Sequence, residues 1–435
     1  MTVRVCVLAS MLCVAIACSG RGSREPRVGA LATSDACPAA ASWVTSPSPP
    51  TEIGGPNVPV GDETFCQFYQ FAEQWFLSLV SPSSTPGSRV FETFNIVGAS
   101  GKTSCGTGAL LTGKDALKKH LFARVNKPRT ADFDPTLPPN VNQATDQAMY
   151  DQNGNLVLYA MLYNPAECQA TSAGFVPNTI EVKTSWKQLA KPDPTYYMMD
   201  ANIDFGAGPV PVQLGLVGFH LAINTALHPE FIWVTYEHKT NDPSCNGATP
   251  APLGGWSFTS GAAAKCLASG GINACGSYNF NQGAAAGSGN GSGTPTQTCR
   301  SYPDGTDAVP PDVGPNGNRN ALNIFTIDTL NDQLVGPKGI LTQLSSTDPM
   351  AVFANYTLQG AIWTNGGAAS ITANQRGSLE LANTTMETFV QSVPPTPNTL
   401  NCFGCHQFDP TTPLDVSHIY QAAPGAAAAV KRHAK

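Results

Sequence analysis

Charge is scarce in this chain. Asp, Glu, Lys and Arg make up 12 % of its 435 residues, about half the usual share, and 24 basic against 30 acidic side chains leave a net charge of −6. Without clustered Lys and Arg there is no electrostatic footprint for nucleic acid. Long apolar runs are missing as well. Beyond the N-terminal stretch, nothing approaches the roughly 20 consecutive apolar residues that span a bilayer, so membrane contact would rest on a lipid anchor alone. No Gly-x-x-x-x-Gly-Lys-Ser/Thr phosphate loop occurs, the stretch before Gly101-Lys102-Thr103 having Ile96 where its first Gly would stand, and there is no Gly-x-Ser-x-Gly elbow. The signatures of P-loop nucleotide hydrolases and of α/β-hydrolase nucleophiles are therefore absent. No methionine follows Met386.

Glycine and proline are plentiful instead, at 41 and 36 residues. With a polar complement drawn mostly from Asn, Thr, Ser and Gln, this composition suits a secreted, loop-rich, β-rich protein. The length allows a large core, as one big domain or two intimate ones. Residues 1–18 read as an export signal: basic Arg4, an apolar stretch from Val5 to Ile16, then the small-residue site Ala-Ile-Ala-Cys. Cys18 stands where bacterial lipoprotein signals place the acylated cysteine, although Ala15 occupies the position such signals usually give to Leu. Ordinary secretory cleavage is the alternative. Either route places the mature chain outside the cytoplasm, in the bacterial periplasm or anchored to the outer membrane by lipid at Cys18.

Thirteen cysteines are present. Cys6 and Cys13 fall in the signal, Cys18 is the lipidation candidate, and Cys402 and Cys405 belong to the motif at 401–407. Cys37, Cys66, Cys105, Cys168, Cys245, Cys266, Cys275 and Cys299 remain. An even set in an oxidising compartment predicts up to four disulfides, with 105 connectivities to choose from. Cys245 with Cys299 and Cys266 with Cys275 are the preferred local pairs, because they would staple a glycine-rich insertion.

Residues 19–60, rich in Arg, Ser, Pro and Gly, have no hydrophobic period and read as a flexible tether. Residues 61–380 read as a β-rich body. It opens with an amphipathic helix carrying Phe65, Phe68, Phe71, Ala72, Trp75, Phe76 and Leu79 at three- and four-residue steps. A second, shorter helix is expected over Ala116–Val125, and a hairpin turn at Asn153-Gly154 leads into a strand through Val157, Tyr159, Met161 and Tyr163. Asn178–Lys191 supplies another strand. Val210–Ile223 and Pro229–His238 are the most β-like segments, buried and paired. Residues 244–318 form a Gly-rich insertion that bridges or mobility would explain. Leu322–Leu344 regains helical character, Met350–Trp363 alternates like a strand, and Ser378–Val390 leads into a helix of about two turns. Residues 381–422 form the attachment segment, and 423–435 are a frayed tail.

The sharpest signal is NCFGCHQ, Asn401–Gln407. Two thiols separated by two residues, followed at once by His, are the spacing that covalent haem c attachment requires. Cys402 and Cys405 would add to the two porphyrin vinyl groups, and His406 would place its imidazole under the iron as proximal ligand. A structural zinc site would need a further Cys or His pair at short spacing, and no other Cys-x-x-Cys occurs. A redox dithiol should open a helix within a βαβ pattern, which the prolines at 394, 395 and 397 do not resemble. One covalent haem c is the cofactor this motif implies.

In small soluble cytochromes c the motif lies near the N-terminus and a downstream Met supplies the sixth ligand. Here the order is reversed, so that ligand would come from Met386, from His418, from His220 or His238, from Met198 or Met199, or from no protein group. His220, His228 and His238 also admit a plainer reading as hydrogen-bonded imidazoles.

In order along residues 63–407, QFAEQWFLSL, RVFETF, EVKTSWKQL, GFHLAINTALHPEFIWVTYEH and LANTTMETFVQ ahead of NCFGCH resemble a family of bacterial exported cytochrome c proteins. These are large chains with one C-terminal haem motif and no settled activity. The resemblance implies export and one haem rather than a reaction, and it draws attention to His220, His238 and Met386, which fall in matching segments. The Gly-rich 260–295 stretch departs from it.

The expected fold is α+β and β-rich, with a short C-terminal helical attachment segment. The expected function is an extracytoplasmic monohaem electron carrier serving a redox partner that the sequence does not identify. One alternative is a haem enzyme or sensor with an open iron face, in which His220 or His238 acts as distal acid, base or gas contact. Another is a surface binding protein in which the haem is accessory. Asp200, Asp204 and Glu237 have no pairing visible in the sequence and read as structural.

Overall fold

A computed structural model describes residues 37–55, 57–59, 63–97, 112–119, 121, 148–205, 208–247, 249–282, 292–302, 319–364, 375–389, 391, 401–406, 408–417 and 419. Residues 1–36 lie outside them, so the expected export signal and Cys18 fall beyond the described residues. The tail at 423–435 also lies outside.

The helices and strands are, in chain order, α1 (Ser42–Thr45), α2 (Phe65–Val80), β1 (Asn95–Ile96), α3 (Lys114–Lys119), β2 (Leu158–Tyr163), β3 (Ile180–Leu189), β4 (Met198–Asp204), β5 (Pro209–Ile223), β6 (Ile232–His238), α4 (Gly261–Gly270), α5 (Arg319–Val335), β7 (Tyr356–Thr364), β8 (Gln375–Gly377) and α6 (Cys402–Cys405). The strands make one eight-stranded sheet in the order β1-β2-β3-β5-β6-β7-β8, with β4 pairing the first half of β5. Every pairing is antiparallel. The fold is therefore α+β and β-rich, as the composition and alternation imply.

Alternation gives the sheet two unlike faces. Phe219, Leu221, Val234, Tyr236, Ala361 and Trp363 turn to one side and join the main hydrophobic core. There α2 and α5 cover them. The α2 stripe fits its sequence pattern: Phe76 stacks on Tyr236 at 3.8 Å and Phe68 on Trp363 at 4.0 Å. A capping box starts this helix, Thr64 Oγ1 accepting from the Gln67 N–H and Gln67 Oε1 from the Thr64 N–H.

Residues 37–59 differ from the expected tether. Cys37 is bridged to Cys66, Ile53 is buried, the Ala39 N–H donates to Gln333 Oε1 (2.8 Å) and the Trp75 indole N–H donates to the Pro50 carbonyl (2.9 Å). A disulfide and side-chain hydrogen bonds fix this proline-rich run, an order that hydrophobic periodicity does not register. The insertion is stapled by Cys245–Cys299 and Cys266–Cys275, the two preferred pairs, around a small core of Ala263, Leu267 and Phe280. Cys168 is also disulfide-bonded. These bridges are compatible with an oxidising compartment. Among the described residues no helix is long and apolar enough to cross a membrane.

Candidate functional site

The second face of the sheet carries the chemistry. Three rows of side chains cross it: Tyr163, Glu181, Ala222, Trp233 and Ile362; then Met161, Lys183, His220, Thr235 and Gly360; then Tyr159, Ser185, Gly218 and Glu237. Buried polar groups on a sheet need partners, and a strap following β8 supplies them. Asn383 Nδ2 donates to Thr235 Oγ1 (2.9 Å), the Thr384 N–H donates to Glu237 Oε1 (2.8 Å), and the Tyr159 hydroxyl donates to the Thr385 carbonyl (2.9 Å). Glu237 also pairs with Arg300 at 2.9 Å.

Close approach of the strap requires glycine beneath it. A Cβ on Gly218 would lie 2.5 Å from Thr385 Oγ1, and one on Gly360 would run into the Ser378 hydroxyl. Thr385 and Asn383 spend their side chains on the sheet and on a local turn. For this reason Ser378–Val390 makes a turn here, not the expected two-turn helix.

The strap leads to the attachment segment. Asn401 caps α6, its Oδ1 accepting from the Phe403 N–H (3.0 Å) while its Nδ2 donates to the Leu379 carbonyl (2.7 Å). Phe403, the first spacer of the Cys-x-x-Cys motif, is buried with Ala222, Trp233, Ile362, Leu381, Phe408 and Val416. The motif is thus pinned to the sheet by its spacer, which leaves the flanking positions nearer the surface. Cys402 and His406 are half-buried. The Cys405 side chain lies outside the described residues.

His406 is held on two sides. Its ring lies against the Trp233 indole, centroids 4.1 Å apart and planes 36° apart. Its Nδ1 is 2.9 Å from the Val416 carbonyl oxygen. A carbonyl can only accept, so Nδ1 carries the proton that this contact uses. This is how proteins prepare an imidazole to ligate a metal. Cys402 and Cys405 stand one helical turn apart on α6 with His406 next in the chain, the residue types and spacing that haem c would need.

Of the other candidates, His220 shares the sheet face with Trp233 and lies one row away. Its Nε2 is 2.7 Å from Glu387 Oε2, and Lys183 Nζ is 3.4 Å from Glu387 Oε1. Burial pushes the Glu387 carboxyl up, but the charges of His220 and Lys183 outweigh it and bring it down to about 2. His238 lies an odd number of residues from Thr235, the partner of His220, and therefore projects to the opposite face. Its Nε2 donates to the Thr195 carbonyl (2.9 Å), its Nδ1 accepts from the Thr240 N–H, and its ring stacks on Tyr196 at 3.9 Å. Burial pulls it down to about 3. His220 and His238, each a candidate ligand from the sequence, therefore lie on opposite faces of the sheet. Met386 is buried in a separate cluster with Met149, Val157, Tyr159, Val217 and Phe258, and the half-buried Met198 packs on it. Met199 belongs to the main core. His418 lies outside the described residues.

Sequence reasoning missed the carboxylates beneath the segment. Glu181 on β3 and Glu167 in the turn Pro165–Gln169 are both buried. The Ser417 hydroxyl, next along the chain from Val416, donates to Glu167 Oε1 (3.0 Å). Burial pushes both carboxyls up, Glu181 to about 7, and the neighbouring charge of Glu181 adds to the rise at Glu167. The one available signal was Glu181 standing at the buried end of an alternating strand.

No protein-family model, no curated protein and no solved structure matches the chain.

Proposed function

We propose that the chain is an extracytoplasmic monohaem c-type electron-transfer protein, with haem joined to Cys402 and Cys405 and with His406 as proximal ligand. The observation that carries this reading is the His406 ring, seated on Trp233 with Nδ1–H held by the Val416 carbonyl. Bound there, haem c would supply one iron that cycles between states one electron apart. The chain's own part is to hold and orient. Val416 fixes the imidazole tautomer, Trp233 fixes the ring plane, Phe403 anchors the motif, and the apolar cluster around them keeps water from one side. The export signal and a lipid anchor at Cys18 belong to the same reading, since thioether attachment and disulfides both suit an extracytoplasmic chain.

His220, aligned by Glu387 at 2.7 Å on the same sheet face, favours a second reading. In it the iron keeps an open position and His220 serves as an acid or base beside it. Absorbance spectra of the reduced holoprotein with and without CO separate the two. A low-spin spectrum unmoved by CO supports electron transfer, whereas a CO-shifted spectrum with rapid peroxide turnover supports the second reading.

A further inference from the structure

We propose that Glu167 and Glu181 form a single proton-binding site coupled to the redox state of the haem, so that the protein takes up a proton with its electron. The inference rests on the haem reading above and adds a second transported species to it.

The geometry comes first. Glu167 is fully buried and Glu181 nearly so. Glu167 Oε2 and Glu181 Oε1 are both buried without a hydrogen-bond donor. Two bare carboxylates cannot remain side by side at low dielectric, because desolvation and mutual repulsion both oppose it. One shared proton resolves both orphaned oxygens at once, as acid on one side and acceptor on the other. The pair then titrates as a unit.

The link to the iron site is short. Ser417 donates to Glu167, the Val416–Ser417 peptide follows, and the Val416 carbonyl accepts from His406 Nδ1. Two hydrogen bonds and one peptide unit separate the imidazole from the pair. Other groups facing the pair are Lys183 on β3, which also contacts Glu387, and His220 beside Lys183 on β5. Tyr163 on β2 stands opposite Glu181, and Asp415 and His406 are titratable groups on the C-terminal segment. Lys183 is the one fixed cation among them, and it is shared with Glu387.

The step balances as follows. With haem held by Cys402, Cys405 and His406, an electron taken from a one-electron donor would lower the local charge by one. A proton from solvent then binds the acid–carboxylate pair and converts it to two neutral acids. Reoxidation by a one-electron acceptor reverses both transfers. Buried charges are weakly screened, so such an electron would raise the pair's proton affinity.

The test uses the full-length holoprotein. Its midpoint potential, followed from about pH 5 to about pH 9, should fall with a slope approaching about 59 mV per pH unit, a tenfold change in equilibrium constant per unit for one electron. Glu181→Gln, and independently Glu167→Gln, should flatten that slope. Should neither variant fold, the redox-difference infrared spectrum of the unaltered holoprotein decides. Reduction should produce a protonated-carboxyl band that shifts in heavy water, and its absence would overturn the inference. A slope that survives in either folded variant assigns the proton to another group, such as a haem propionate, and also overturns it. A flat potential in a protein that carries covalent haem defeats this inference and leaves the haem reading standing; absence of haem defeats both.

Discussion

The His406 imidazole rests on the Trp233 indole with ring centroids 4.1 Å apart, while its Nδ1 proton is held 2.9 Å from the Val416 oxygen. Trp233 is itself fixed, its indole N–H donating to the Glu230 carbonyl at 3.2 Å. The ring that would ligate iron is thus positioned by the sheet and by the segment after it.

Trp233→Ala should therefore act on both stability and the site. Removing a buried indole costs about 3–5 kcal/mol, read as a lower denaturant midpoint, and the holoprotein should give a mixed-spin spectrum. Trp233→Phe keeps an aromatic face against His406 and should retain a single low-spin species. Equal spectra for the two variants would contradict the positioning role.

His228 lies between two carboxylates, Nδ1 at 3.0 Å from Glu230 and Nε2 at 3.5 Å from Glu63. Burial pulls its imidazolium down, but the hydrogen bonds and charges of Glu230 and Glu63 outweigh burial and raise it from 6.5 to about 9. A pKa raised by folding stabilises the charged form. The contribution, roughly 3 kcal/mol, is complete below the unfolded value and disappears as pH rises through the folded one. Urea denaturation between about pH 6 and about pH 10 should show this loss, and His228→Gln should make the slope shallower, most clearly above about pH 8.

Glu73 on α2 works against folding near neutral pH, and its cost likewise grows as pH rises. Burial raises its carboxyl from 4.5 to about 8, and the Tyr236 hydroxyl only partly offsets this. The folded protein therefore pays for protonation at neutral pH. Glu73→Gln should raise stability by up to about 3 kcal/mol near pH 7 and by much less at pH ~4. Destabilisation by this variant at neutral pH would contradict the assignment.

Gly360 tests the strap. A methyl there meets Ser378, so Gly360→Ala should destabilise by about 1–3 kcal/mol. The double variant with Ser378→Gly should recover part of that loss, a coupling that thermal melts of the three variants would register.

Much of the frame was legible because it rests on periodicity. The stripe of α2 and the alternation of Val210–Ile223 and Pro229–His238 yield the helix and the strands they imply, and Cys245–Cys299 with Cys266–Cys275 follow from local stapling. What periodicity does not carry is which polar groups meet across the fold. The strap 378–391 reads like a helix because its Thr, Asn and Glu side chains show their partners only once β5 and β6 lie beneath them. Residues 37–59 read like a tether for the same reason, being fixed by Cys66, Gln333 and α2. Within the site, the spacing of Cys402, Cys405 and His406 was plain. Trp233 looked like an ordinary core residue, and the meeting of Glu167 with Glu181 depends on a contact between a turn and a strand.

The most direct test of the account is the mass of the proteolytic peptide that contains Cys402 to His406, taken from protein exported in a host with a working haem c maturation system. The account requires that peptide to carry one haem through two thioethers, and Cys402→Ala with Cys405→Ala to abolish the added mass. An unmodified peptide, with the two cysteines as thiols or joined to each other, would contradict it.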